Sequence, residues 1–341
     1  LEGRRIIRVI GTGATATVYE TVDDDLDRRA ALKVLLPSVS NRKVRERFLR
    51  EAKLAAKVHH AHVVTIYRTG QLRGLPFIEM ELLGGVTLEY YLKKFVVCKA
   101  GQVVRFAREL FDGLAAVHAL GITHRDVKPG NVWLAAPSGT VKLLDFGLAH
   151  VEDSGNELTK VGTILGTPAY MSPEQARGRP VDFRSDLFSA GIVLYQMATG
   201  VLPFVGRRPI DVIAAITAQP HRPAIQLNGA IPAALSDLID RLLEKDPAKR
   251  PASSIAVINA IRGIPTTGTG GSGSTEMKAI VAPQQLVETK DEWKPVTEPI
   301  IQLSRYRAHR QTQGGLTALA MILLGVFFGV AGASLCYLRF R

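Results

Sequence analysis

The run "LTALAMILLGVFFGVAGASLCYL", Leu316 to Leu338, contains 23 consecutive residues and no charge. As a helix it spans about 35 Å, enough to cross a hydrocarbon core of about 30 Å. A core helix of this length in a water-soluble domain is rarely uncharged on every face. The expectation is one transmembrane helix at 316–338, so the residues before it must bury a core of their own. Arg305, Arg307 and Arg310 precede the run and Arg339 and Arg341 follow it, a weak bias that favours a cytoplasmic N-terminal body. Gly325 and Gly329, extended by Ala333, fall on one helix face and would let a second copy approach closely, which makes a homodimer a candidate assembly.

The formal net charge of +12 invites a nucleic-acid reading, but no reader motif and no aromatic–basic interleaving accompanies it. No nucleic-acid partner is expected; a basic body held near anionic lipid accounts for the charge. Two cysteines, Cys98 and Cys336, stand far apart without CxxC spacing, which argues against a disulfide framework or a zinc site. The first residue is Leu1, not Met, so the native start is expected upstream.

Three textures divide the chain. Residues 1–263 alternate apolar runs with turn signals. The low-complexity "TTGTGGSGST" at 266–275 opens a polar stretch, so 264–313 reads as a flexible juxtamembrane linker ahead of the span. Within the first part, "RRIIRVIG" and "RAALKVLL" are β-rich, and "RERFLREAKLAAKV" shows helical spacing of Phe48, Leu49, Ala52, Leu54, Ala55 and Val58. Beyond residue 100 helical patterns dominate, as in "VVRFARELFDGLAAVHAL" and "RSDLFSAGIVLYQMATG". The fold class expected is α+β: a strand-rich small lobe to about residue 82, then a helix-rich lobe over about 83–263.

The chemistry concentrates in "THRDVKPGNVWL", residues 123–134. Asp126 can orient an attacking hydroxyl or accept its proton. Lys128 can neutralise charge on a phosphoryl group, and Asn131 offers a hard amide oxygen suited to Mg²⁺. "VKLLDFGLAH" adds Asp145 on a turn after a short apolar strand, a second oxygen ligand. Upstream, Gly11 and Gly13 in "IGTGATATVY" would admit backbone N–H groups to phosphate oxygens, and the strand-like "TVYETV" that follows disfavours a dinucleotide site, which needs a helix there. Lys33, in the apolar strand "AALKVL", could grip phosphates as a point charge if Glu51, eighteen residues on, holds it inward. Phosphoryl transfer requires this kind of placement and positive charge.

"HRDVKPGN", "DFG", "GTPAYMSPEQ" and "RSDLFSAGIVLYQMATG" resemble, in order and spacing, the eukaryotic-like serine/threonine protein kinases, particularly the membrane-tethered bacterial ones. The resemblance covers residues 4–262. It implies a bilobal protein kinase domain over 1–263, cofactors ATP and Mg²⁺ with Mn²⁺ as an alternative metal, and protein substrates carrying Ser or Thr. It also implies a single-pass protein of the inner cell membrane with its kinase domain in the cytoplasm. Asp126 would be the catalytic aspartate with Lys128 beside the γ-phosphate, Asn131 and Asp145 would hold the metal, and Lys33 and Glu51 would form an ion pair. Ile10, Gly11, Thr12, Gly13, Ala14, Thr15, Ala16, Thr17 and Val18 would cover ATP. Val18 and Ala31 would line the adenine pocket, Met80 would stand at its back, and Glu81 to Leu83 would be the hinge that bonds adenine. Glu174 and Arg250 would form a structural ion pair, and Asp186 would brace the catalytic loop. Lys128 two residues after Asp126, and Thr167 in the substrate-facing loop, fit the serine/threonine class. Arg125 would bring a positive charge that a phosphate on the activation loop neutralises, with Thr159 and Thr163 as its candidate acceptors.

Three positions depart from the family pattern. Ala16 takes the third glycine position, Ser172 replaces an alanine before Pro173, and "HHAHVV" replaces the common His-Pro-Asn run. Ala16 is the sole sequence support for the alternative, a membrane-anchored pseudokinase scaffold that binds nucleotide without transferring phosphate.

Overall fold

The computed structural model describes residues 3–39, 41–145 and 168–265. The membrane span at 316–338 with its Gly325/Gly329 face, the linker from residue 266 onward, and Thr159, Thr163 and Thr167 lie outside the described residues. Among the described residues, no helix is long and apolar enough to cross a membrane.

The first lobe is an antiparallel sheet of β1 (Arg4–Thr12), β2 (Ala16–Asp23), β3 (Arg28–Leu35), β4 (Ile66–Leu72) and β5 (Leu75–Glu81), with α1 (Arg42–Ala55) crossing between β3 and β4. The spatial strand order is β1-β2-β3-β5-β4. The β4–β5 hairpin turns on two residues, Arg73 and Gly74, both with positive φ (50° and 79°), the geometry that matches the right-handed twist of the flanking strands. Asn41 caps α1 by accepting from the Val44 N–H at 2.9 Å, and the helix buries Phe48, Ala52 and Ala55.

Register decides what this sheet shows to the second lobe. Val18 stands opposite Lys33, Lys33 opposite Ile78, and Ala31 opposite Met80. Directly opposed residues, and residues two apart on one strand, share a face. One face therefore carries Val18, Ala31, Lys33, Ile78 and Met80 together.

The second lobe begins with β6 (Gly85–Thr87) and α2 (Leu88–Lys94), then the long α3 (Ala100–Ala119). Strands β7 (Val132–Ala135) and β8 (Thr140–Leu143) pair with β6 in a three-stranded sheet of order β6-β7-β8. Then follow α4 (Pro173–Ala176), α5 (Phe183–Thr199), α6 (Pro209–Ala218), α7 (Ala233–Leu242) and α8 (Ser254–Arg262). Helix α5 is buried on nearly every face, capped by Asp182 at its start and ended by Gly200 at φ 78°. The lobes are joined beside the hinge, where Val64 N–H donates to Leu143 O, and Leu143 N–H to His62 O, at 2.9 Å each. Gly113 on α3 makes this approach possible: a Cβ there would sit 2.7 Å from His62 O.

The ion pair expected between Glu174 and Arg250 is present and bidentate. Arg250 Nη1 and Nη2 donate to the two Glu174 oxygens at 2.7 and 2.9 Å, and Ser185 Oγ also donates to Glu174. Arg250 Nε and Nη1 further donate to the carbonyls of Glu244 and Arg184, at 2.8 Å each, so one buried guanidinium ties α4 to the start of α5 and to the segment before α8. Burial alone would raise the Glu174 carboxyl, but the bonds from Arg250 and Ser185 outweigh it and hold it below its ordinary 4.5. A carboxylate depressed on folding contributes stability that is complete above pH 4.5 and fades as the pH falls through the folded value. Arg250→Met should destabilise the domain by about 3–5 kcal/mol, because it strands a buried carboxylate. It should also remove this part of the acid sensitivity; urea melts across pH measure both.

Candidate active site

The loop between α3 and β7 alternates its side chains. Val127 enters the core at 1% exposure, while Asp126 and Lys128 on either side of it face the cleft. Lys128 Nζ donates to Asp126 Oδ2 at 2.8 Å. Asn131, brought back by the single turn Pro129–Asn131, donates from Nδ2 to Asp126 O at 2.8 Å and Asp126 Oδ2 at 2.7 Å. With both amide protons committed, Asn131 turns Oδ1, its metal-capable atom, away from Asp126.

The loop is fixed from beneath. Asp186, on buried α5, is 1% exposed; its Oδ2 accepts from the His124 N–H and from His118 Nε2, both at 2.8 Å, and its Oδ1 accepts from the Arg125 N–H at 2.7 Å. Arg125 has φ 66°, a left-handed conformation that costs a non-glycine residue about 1–3 kcal/mol unless its surroundings enforce it. Here its N–H is held by Asp186 and its carbonyl by Gln175 Nε2 at 2.8 Å. The brace expected of Asp186 is therefore a set of direct bonds.

Asp145 follows β8 with φ 44° and reaches across the cleft to the first lobe, where Lys33 Nζ lies 2.6 Å from its Oδ1. Burial would raise the Asp145 carboxyl, but Lys33 first, then His124 and Lys128, together outweigh it, and the group stays below its ordinary 3.8. The partner expected for Lys33 was Glu51; the ion pair recorded for it is with Asp145. Glu51 stands half-buried on α1.

Two groups result: Lys33 with Asp145 across the lobes, and Lys128 and Asn131 on Asp126 in the loop. Val18, Ala31 and Met80 share the sheet face that carries Lys33. Gly11 pairs with Val18, and the loop Gly13–Thr15 closes through Gly13 N–H donating to Ala16 O at 2.9 Å. Neither Gly11 nor Gly13 uses positive φ, so their contribution is the missing side chain. Glu81 is held at the hinge by Lys142 Nζ at 2.7 Å.

Reading the loop as a sequence left out His124, which is fully buried. Its Nε2 donates to Leu144 O at 2.8 Å and its Nδ1 accepts from the Asp126 N–H at 3.3 Å, tying the Asp126 loop to the strand end that carries Asp145. It lies inside the quoted motif, but its partner is twenty residues away and could not be read from spacing. His118 and Gln175 were missed for the same reason.

Among the described residues, no group of three or more His, Cys, Asp or Glu gathers into a metal cage. Mg²⁺ bound with a nucleotide needs only one or two protein oxygens, the rest coming from phosphates and water. Asn131 Oδ1 and the Asp145 carboxylate are hard oxygen donors of that type and fit it.

Residues 4–260 match the family model described as protein kinase domain. The chain belongs to the protein kinase family. This kinase domain is 38% identical over 262 residues to the serine/threonine-protein kinase pkn3 of Myxococcus xanthus, covering 74% of this chain and 48% of that one. It is 39% identical over 267 residues to the serine/threonine-protein kinase PksC of Streptomyces coelicolor, covering 75% and 48%. It is 36% identical over 260 residues to the serine/threonine-protein kinase PknL of Mycobacterium bovis, covering 75% and 64%. The match spans about half of the first two relatives and under two thirds of the third.

One titration checks the electrostatics of the cleft. In Lys33→Met the main opposing charge is gone and burial remains, so the Asp145 carboxyl should titrate well above its position in the unaltered protein. Carboxyl ¹³C chemical shifts followed across acid pH measure this.

Proposed function

We propose that this protein is a serine/threonine protein kinase that transfers the γ-phosphate of ATP to Ser or Thr hydroxyls of proteins. The observation that carries the reading is the convergence of Lys33 and Asp145 from opposite lobes beside the Lys128–Asp126–Asn131 cluster. Asp126 orients the incoming hydroxyl and accepts its proton as the phosphoryl group moves. Lys128, 2.8 Å from that carboxylate, supplies positive charge where the transferred group gains negative charge. Lys33 holds the α/β-phosphates, and Glu51 on α1 is the residue that would receive or steady it in the loaded cleft. Asn131 and Asp145 would hold Mg²⁺, which would neutralise phosphate charge. Ile10 to Val18 lie over the phosphates, Val18, Ala31 and Met80 enclose adenine, and the backbone of Glu81 to Leu83 bonds it.

The serine/threonine assignment rests on Lys128 two residues after Asp126 and on the names of the matched relatives. Thr167 joins the substrate loop, and Thr159 and Thr163 are the candidate sites of autophosphorylation. The pseudokinase alternative gains nothing from Ala16, which is buried at the start of β2 and carries no charged group of the site. The run 316–338 anchors the protein by one pass in the inner cell membrane with the kinase domain, 1–263, in the cytoplasm, and 264–313 tethers the two. Paired spans meeting at Gly325 and Gly329 raise the local concentration of one kinase domain near another and favour phosphorylation between copies.

Two experiments test these readings. Purified protein incubated with labelled ATP and Mg²⁺ should incorporate phosphate into protein Ser and Thr, and Asp126→Asn should lower the rate about 10²–10⁴-fold; equal rates would remove catalysis from the reading. A chain ending at residue 313 should leave the membrane fraction and, at low concentration, lose phosphate at Thr159 and Thr163. Undiminished loop phosphorylation, read by mass spectrometry, would separate the anchor from activation.

A further inference from the structure

Outside the cleft, three cations gather without a carboxylate of their own. Arg177, at the end of α4, donates from Nη2 to Thr217 O, and Lys245 Nζ donates to Ile216 O at 2.7 Å. Both carbonyls belong to the last turn of α6, whose end carries only about half a negative charge. Arg179 stands on the rim of the same depression, which Glu174, Asp246 and Pro247 also line. Among the described residues, none of Arg177, Arg179 and Lys245 has an acidic side chain within ion-pair distance. The two carboxylates of the depression are engaged elsewhere: Glu174 holds Arg250 with both oxygens, and Asp246 accepts from the Ala248 N–H at 2.9 Å.

Lys245 extends inward rather than to solvent. Its ammonium lies 3.4 Å from the Phe204 ring centroid and 5.5 Å from that of Phe188. Burial first, then Arg177 and Arg250, push it down to about 7. The charges that face it are Arg177 and Glu174 from α4, Arg179 from the turn after α4, and Asp246 and Arg250 from the segment before α8. Positive charge thus exceeds negative, with two guanidinium forks on the rim and an ammonium at the floor.

We propose that this depression, between the end of α4, the end of α6 and residues 245–247, binds a phosphate-class oxyanion. Guanidinium forks suit its tetrahedral oxygens, and a dianion balances the excess charge. The same chemistry is offered by free inorganic phosphate and by a phosphorylated side chain. An anion at the floor also favours the protonated form of Lys245, so binding takes up a proton near neutral pH.

Because the unprotonated amine is the form that acylating reagents attack, Lys245 reports its own occupancy. The full chain is labelled at neutral pH with an amine-directed acylating reagent, and Lys245 and Lys249 are followed separately by peptide mass spectrometry. Inorganic phosphate, or phosphoserine, replaces chloride at matched ionic strength. Protection of Lys245 by about tenfold, with Lys249 unchanged, is the expected result. Protection should fall in Arg179→Ala, an exposed position where loss of fold is not expected. Protection by phosphoserine at lower concentration than phosphate identifies a phosphorylated side chain as the ligand, and the reverse order a free ion. Equal labelling with and without phosphate overturns the proposal, as does undiminished protection in Arg179→Ala. A Lys245 that never labels overturns it too, because the depression is then closed to solutes.

Discussion

A carboxylate buried at 1% exposure, Asp186, is the contact on which the site geometry depends. Its two oxygens accept three N–H donors, two of them backbone groups of consecutive residues in the loop that carries Asp126. Backbone donors fix position and direction together, because an N–H cannot rotate independently of its peptide plane. Asp186 is itself immobile, since α5 is packed on nearly all sides and held at its start by the Arg250–Glu174 pair. The strained φ of Arg125 is tolerated only because donors and acceptors clamp both sides of that residue. The placement of Asp126 in this loop is thus inherited from a helix buried on nearly every face.

The other half of the site is positioned by strand register rather than by a buried charge. Shifting β3 by one residue against β2 and β5 would send Lys33 to the opposite face and bring Leu32 into the cleft. The register is locked by the two-residue β4–β5 turn and by the continuous β2–β3 ladder from Ala16 to Asp23. His124 then joins the halves by bonding both Leu144 O and the Asp126 N–H, so the Asp126 loop and the approach to Asp145 move as one piece.

Much of this was legible from residue order because it is local or periodic. The alternation of Asp126, Val127 and Lys128, the apolar run before Asp145, and the helical spacing of α1, α3 and α5 are set by neighbours a few residues away. The Glu174–Arg250 and Asp186 contacts were legible only through resemblance to a known family, since their partners lie 61 to 76 residues away. In this structure the Lys33 ammonium contacts Asp145. Glu51 is nearer in sequence, but an ammonium takes whichever carboxylate the lobes bring within reach, and Asp145 comes from the other lobe. His124 carried no pattern beyond its place in the motif, because its bonds to Leu144 O and Asp186 reach residues 20 and 62 positions away.

The pairing of Lys33 with Asp145 has a physical consequence of its own. Each is of the charge type that a nucleotide or its metal would engage, and Lys33, the more buried of the two, is costly to leave unpaired. By facing each other at 2.6 Å they satisfy one another, and the same contact spans the two lobes. Asp126 is treated likewise, with Lys128 and Asn131 on its Oδ2. A cleft built this way sets its charged groups against one another, and Lys33 helps hold the Asp145 carboxyl below its ordinary range. Anything that displaces the ammonium must bring positive charge to Asp145 and negative charge to Lys33 at once. That double requirement discriminates against simple anions and simple cations and favours a ligand that carries both, which is the electrostatic character of a metal-bound polyphosphate.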